Sequence, residues 1–254
     1  MTSWVLRPII WFATASIATT VFHESIHAIV AYKLGVRSTL HNYFVHLDLT
    51  PDQAATSLPA IIGVAGPSSC LVLGVAAWAA FKRARGSRAE LPLLFFAVFG
   101  VGTFFGNLMS ASFIGDFSAA AIALHLPMAA RYALSLAGAV GTAAVHYLVG
   151  RELVRWVPPT AGRMAGMLGI IAGPVIIGTA IVILANAPTA NATVRAAEAA
   201  FWIFAAVGAF VAGAASSVGY PFRGADRVNW ADGMMLLIAI VIVRLLVRGI
   251  PFVP

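Results

Sequence analysis

Residues 19–36 read TTVFHESIHAIVAYKLGV, and within them His23, Glu24 and His27 form H-E-x-x-H. On an α-helix, residues four apart share one face, with about 5–6 Å between their Cβ atoms. Both imidazoles can therefore reach a single zinc ion at about 2.0–2.1 Å. Glu24 flanks that face, where a carboxylate serves as general base toward a water activated by the ion. The spacing predicts metal-assisted hydrolysis with Zn2+ as cofactor. Each charged group in such an apolar run costs about 2.5–3.5 kcal/mol at the bilayer centre, so three ionisable residues in five positions point to function.

A catalytic zinc takes three protein ligands and keeps one position for water. The single cysteine, Cys70, excludes a cysteine-based cluster and an intramolecular disulfide framework. The candidates for the third ligand are Asp116 in FGNLMSASFIGDFSAA, Asp232 in VNWADGMMLL, Asp48, His41, His46, His125, His146 and Glu152.

The elements that position these residues are membrane helices. The chain is 61% hydrophobic and only 10% charged, with a mean hydropathy of +0.92, far from a soluble globular domain. Apolar runs at 9–31, 58–81, 91–113, 132–149, 164–184, 201–219 and 234–247 fit the roughly 20 residues a spanning helix needs. They predict an all-α polytopic bundle of six or seven spans, and the short alternating segments of a β-barrel are missing. The first run follows one arginine and lacks a small-residue cleavage site, so it reads as a retained span. Between the first two runs, STLHNYFVHLDLTPDQAATS alternates in part and predicts a short surface hairpin. GDFSAAAIALHLP is too short to cross and predicts a half-helix or interfacial helix.

The net charge of +7 is scattered over short loops, the pattern of topology signals rather than of a nucleic-acid surface. If the spans alternate, Arg7, the loop KRARGSR (82–88), Arg151, Arg155, Arg163, Arg223 and Arg227 share one side. By the positive-inside rule that side is cytoplasmic. Alternation also sorts the ligands. His23 and His27 lie toward the exit end of the first span, and the third span, running the same way, delivers Asp116 at its own exit end. Asp232 sits at the entry of the seventh span and Glu152 follows the fourth, both on the opposite side. Asp116 ranks first on depth, and Asp48 and His46 stay open because their loop emerges on the right side.

With these residues in place, HESIHAIVAYKLGV resembles the first metal-binding helix of the site-2 protease family of intramembrane zinc metalloproteases. VAGPSSCLVLGVAAW resembles that family's Ala-Gly-Pro segment, and GNLMSASFIGDF its third element, over about residues 9–155. The resemblance implies that Asp116 completes the zinc site and that Asn107 assists substrate or transition-state binding. Against the family's pattern, Ser110 and Ser112 stand where prolines are usual, Phe117 replaces the Gly after the aspartate, and Cys70 occupies a common Asn position.

The expectation is a metalloprotease-like membrane core over 1–155, a three-span catalytic unit plus a fourth span, with additional helices over 156–254. Its substrate would be a membrane protein or peptide cleaved within a bilayer of bacterial cell-membrane type. Two other readings are a non-proteolytic binder or carrier of the same fold and a zinc hydrolase of a lipid-like amide or ester. Nothing in the residues fixes the oligomeric state.

Overall fold

The structure is a computed structural model that describes residues 3–187, 206–211, 213 and 228–254. Helix α1 (Ser3–Lys33) leads into a hairpin of β1 (Arg37–Leu40) and β2 (Val45–Asp48), a short α2 (Pro51–Ala54), then α3 (Leu58–Arg83) and α4 (Glu90–Met109). Next come α5 (Asp116–Ala123), α6 (Met128–Leu153), α7 (Arg163–Gly173), α8 (Thr179–Asn186), α9 (Trp230–Leu246) and a terminal strand β3 (Ile250–Phe252). Pro174 lacks the N–H that a helix interior requires, and the passage from α7 to α8 is a π turn over Pro174–Gly178.

Five helical stretches are long and apolar enough to cross a membrane: Trp4–Lys33, Leu58–Arg83, Glu90–Met109, Met128–Trp156 and Met164–Asn186. Outward apolar side chains such as Val72, Leu136 and Leu184 are at least two-thirds exposed, as expected where lipid tails replace water. The count of six or seven is thus five among the described residues. The expected span at 201–219 lies largely outside them, and 234–247 falls in α9, whose 17 residues rise only about 25 Å against a hydrocarbon core of about 30 Å. The third span is also shorter than 91–113. It stops at Met109, where the Ser110 hydroxyl donates to the Asn107 carbonyl at 2.8 Å, and the chain then turns at Gly115, whose φ of +92° suits a residue without Cβ.

Packing relies on small residues. A Cβ on Gly74 would stand 2.4 Å from the Val101 nitrogen, so α3 and α4 touch backbone to backbone there. Gly169 and Gly173 likewise accommodate Trp4 and Val5 of α1. The largest cluster gathers Phe12 of α1, Phe81 of α3, Phe95 and Phe99 of α4, and Met167 of α7, with Phe12 and Phe99 edge to face at 4.9 Å. Helix α9 starts at the same end as α1, where Asp232 meets Arg7, and runs along it.

The hairpin is present as expected, with Arg37 opposite Asp48 and Leu40 opposite Val45. It is part of a larger unit, because β3 pairs antiparallel with the other side of β1, giving the order β2-β1-β3.

Candidate metal centre

Helix α1 presents His23 and His27 one turn apart, with ring centroids 4.6 Å from each other. Asp116 reaches them as the first residue of α5, the short helix expected after the third span. Its Oδ2 lies 2.9 Å from His23 Nε2 and 3.5 Å from His27 Nε2, and the two Nε2 atoms are 3.0 Å apart. Two donors held tetrahedrally at about 2.0–2.1 Å from zinc are about 3.3 Å apart, so the triangle has the size of one ion's ligand set. Among the described residues this is the one group of three such side chains close enough to share a metal. The imidazoles are buried, at 6% and 5% exposure.

Neighbours fix which ring nitrogens face the centre. His27 Nδ1–H donates to the Ile62 carbonyl of α3 at 2.6 Å, leaving the Nε2 lone pair toward the triangle. His23 Nδ1 faces Cys70 Sγ at 3.7 Å, within reach of a weak N–H to sulfur bond. Two imidazole lone pairs and a carboxylate oxygen then converge, an arrangement that a cation offsets, with partners behind each ring of the kind metal-binding histidines use. The donor set of two nitrogens and one oxygen suits zinc.

The floor of the site is α3. A Cβ on Gly66 would stand 2.4 Å from His27 Nε2, and one on Gly63 would stand 3.2 Å from the Asp116 carbonyl. Glu24 is buried beside the histidines and makes no hydrogen bond among the described residues, so its carboxylate keeps its acceptor capacity. Asn107 is turned to the backbone. Its Nδ2 donates to the Thr103 carbonyl at 3.1 Å, and its Oδ1 accepts the Asp116 N–H at 3.4 Å.

The loop that delivers Asp116 is held from α6. Arg131 donates to the carbonyls of Ala111 and Ser112 and to the Ser118 hydroxyl at 3.1–3.3 Å. The Ser112 N–H donates to Ser135 Oγ at 3.1 Å, and the Ser135 hydroxyl donates to Ser112 Oγ at 3.0 Å. Side-chain hydrogen bonds thus restrain the stretch between α4 and α5 that aims Asp116. Sequence reasoning passed over Arg131, Ser135, Ile62 and the reason for Gly66. The Gly-Pro pair after the first hairpin was the one visible signal.

The other ligand candidates lie elsewhere. Asp232 accepts from Arg7, Arg88 and the Trp11 indole, and Arg7 precedes His23 by 16 residues, about 24 Å along α1. Glu152 pairs with Lys82, Arg85 and Arg155. His46 and Asp48 pair with each other on the exposed face of β2 at 3.1 Å. His41 stacks on Phe44, His125 adopts a positive φ of 53° just past α5, and His146 Nδ1 bonds the Thr142 carbonyl. Arg7, Lys82, Arg85, Arg88 and Arg155 meet these carboxylates at one end of the bundle, as alternation of the spans predicts. No family model, curated protein or solved structure matches the chain.

Proposed function

We propose that the chain is a membrane-embedded zinc hydrolase that cleaves a peptide bond of a membrane-embedded or membrane-adjacent substrate. The observation that carries this reading is the convergence of His23 Nε2, His27 Nε2 and Asp116 Oδ2 within 3.5 Å of one another. His23, His27 and Asp116 hold the metal, with the rings oriented by Ile62 and Cys70. When bound, zinc acts as a Lewis acid toward a carbonyl and lowers the pKa of water toward about 7. Glu24, next to His23 and free to accept, takes the proton from the attacking water and returns it to the leaving amine. Asn107 positions Asp116 through the first N–H of α5. A helical substrate must unwind locally before its carbonyls are accessible, because helical carbonyls are already paired. The outer edge of β2, in the sheet that follows α1, offers backbone groups to such an extended segment.

The test is zinc content and cleavage on the full chain in detergent or bilayer. Purified protein is expected to hold about one zinc, removable by a chelator and restored by Zn2+, and Asp116→Ala to hold well under half as much. Single-span peptide substrates should be cleaved by the zinc-loaded protein. Glu24→Gln should retain zinc and lose about 100- to 10,000-fold in rate. Less than about 0.1 zinc per chain in the native protein, or full activity in Glu24→Gln, refutes the reading.

A further inference from the structure

The hairpin beside the metal centre is fastened at its tip as well as at its base. At the base, Val36 is buried with Ala31 and Ile62, and Leu40 with Ala28 of α1 and Leu246 of α9. At the tip, in the turn between β1 and β2, Asn42 is fully buried, and Asn186, the last residue of α8, is 2% exposed. Asn42 Nδ2 donates to Asn186 Oδ1 at 2.9 Å and to the Asn186 carbonyl at 3.3 Å. Asn186 Nδ2 in turn donates to the Val182 carbonyl at 2.8 Å, which fixes the rotamer that receives Asn42.

These bonds close a ring of contacts on α1. Helix α8 rests on that helix through Val182 and Ala185, which cluster with Ala13 and Ile17 of α1 and with Ala239 and Val243 of α9. Ile17 stands six residues before His23, about 9 Å along the axis. The hairpin leaves the same helix just past Lys33. One helix therefore carries both metal-binding histidines and, by two routes, the root and the tip of the hairpin. Leu40 pairs with Val45, so β2 begins three residues after Asn42, and the clasp sets where its outer edge starts.

Two buried amides are not needed merely to join two apolar elements, since exchanging both for aliphatic side chains of the same shape costs little stability. What the hydrogen bonds add is direction, because a satisfied buried polar network specifies one arrangement. We infer that Asn42 and Asn186 are positioning residues, a clasp that holds the outer edge of β2 at a fixed place relative to His23 and His27, so that an extended substrate segment paired to that edge reaches the metal. The inference rests on the hydrolase reading above, and it gives the C-terminal helices a part in substrate binding.

The experiment measures zinc content, kcat and KM for a single-span peptide at neutral pH, on the full chain and on two variants alike in size and charge. Asn42→Asp replaces the donating amide by an oxygen that faces oxygens, whereas Asn186→Asp keeps the Oδ1 that receives Asn42. Asn42→Asp should raise KM about fivefold, the factor expected when the docked hairpin falls to about a fifth of the population, with kcat within about twofold of native and zinc unchanged. Asn186→Asp should stay within about twofold of the native KM, because the acceptor is retained. Asn42→Ser, one bond too short to reach Asn186, stands in should Asn42→Asp fail to fold. An unchanged KM in the folded Asn42 variant, an equal rise in both aspartate variants, or a loss of zinc in step with the rise in KM overturns the inference. A native, zinc-loaded chain that cleaves nothing refutes instead the hydrolase reading, and the role of the clasp in substrate binding goes with it.

Discussion

Gly66 lies directly beneath the His27 imidazole, so close that a Cβ there would stand 2.4 Å from Nε2 and 2.8 Å from Cε1. Neither partner can yield cheaply. The glycine sits within α3, and the ring is tied by its Nδ1–H to the Ile62 carbonyl one turn earlier on that helix. Gly66→Ala is expected to push the ring off its axis and lower zinc affinity about 10- to 100-fold, the usual penalty for disturbing the support of a metal-binding histidine. A competition titration with a chromogenic chelator reads this. Wild-type affinity in a folded variant would show that His27 does not bind metal in the orientation seen.

Arg131 is expected to matter as much as a ligand, although it touches none. It holds Ala111, Ser112 and Ser118, on both sides of the turn that aims Asp116. Arg131→Gln should weaken zinc binding about tenfold, at the low end of such supporting effects, with helical content unchanged by circular dichroism. Arg131→Lys should rescue little, because an ammonium cannot span three acceptors as a planar fork does. Full rescue by lysine would reduce the role of Arg131 to charge alone.

Asn107→Ala should lower zinc retention and activity together, since its Oδ1 accepts the N–H of Asp116. A role at the substrate instead predicts a fall in kcat with zinc content untouched. Parallel metal analysis and cleavage assays on one preparation separate the two outcomes.

At the far end of α1, burial raises the Asp232 carboxyl, and the Asn229 N–H, the Trp11 indole and Arg7 more than offset it, holding the group below the ordinary carboxylate range. A depressed folded value stabilises the protein above the unfolded value of about 3.9, and that stabilisation is lost as pH falls through the folded value. The thermal midpoint of the native chain should therefore drop as pH is lowered from about 5 to 3. Asp232→Ala should lose on the order of 3–5 kcal/mol at neutral pH, because it removes one member of a buried ion pair, and should show less of the acid dependence. A variant as stable as the native chain at pH 7 would rule out the ion pair as a structural anchor.

How far the sequence leads is clear from these residues. H-E-x-x-H places two donors because a helix repeats every 3.6 residues, and the order of the spans brings Asp116 to their depth. The hairpin at residues 37–48 is legible from its alternation. The relations that finish the site run between helices distant in sequence: Gly66 under His27, Cys70 behind His23, Arg131 over the Asp116 loop. Hydropathy along a single segment reports whether a residue faces lipid or protein, and not which residue it meets. The same limit explains the third span, whose apolar run continues past Met109 while local hydroxyl and glycine geometry turns the chain.

The pairing of Ser38 with Phe252 sets an order of assembly. The elements that carry His23, His27 and Asp116 lie within the first 123 residues and their supports Arg131 and Ser135 follow shortly after, whereas the sheet beside them closes only through residues 250–252. At about 5–20 residues per second, a ribosome needs about 6 to 26 seconds to cover the 129 residues between those points (252 minus 123). On the function proposed above, the nascent chain gathers its metal ligands well before the third strand arrives to steady the surface on which a substrate strand would dock. Acquisition of the metal and competence toward substrate are then separate events in the birth of the protein, the second waiting on the synthesis of Ile250–Phe252.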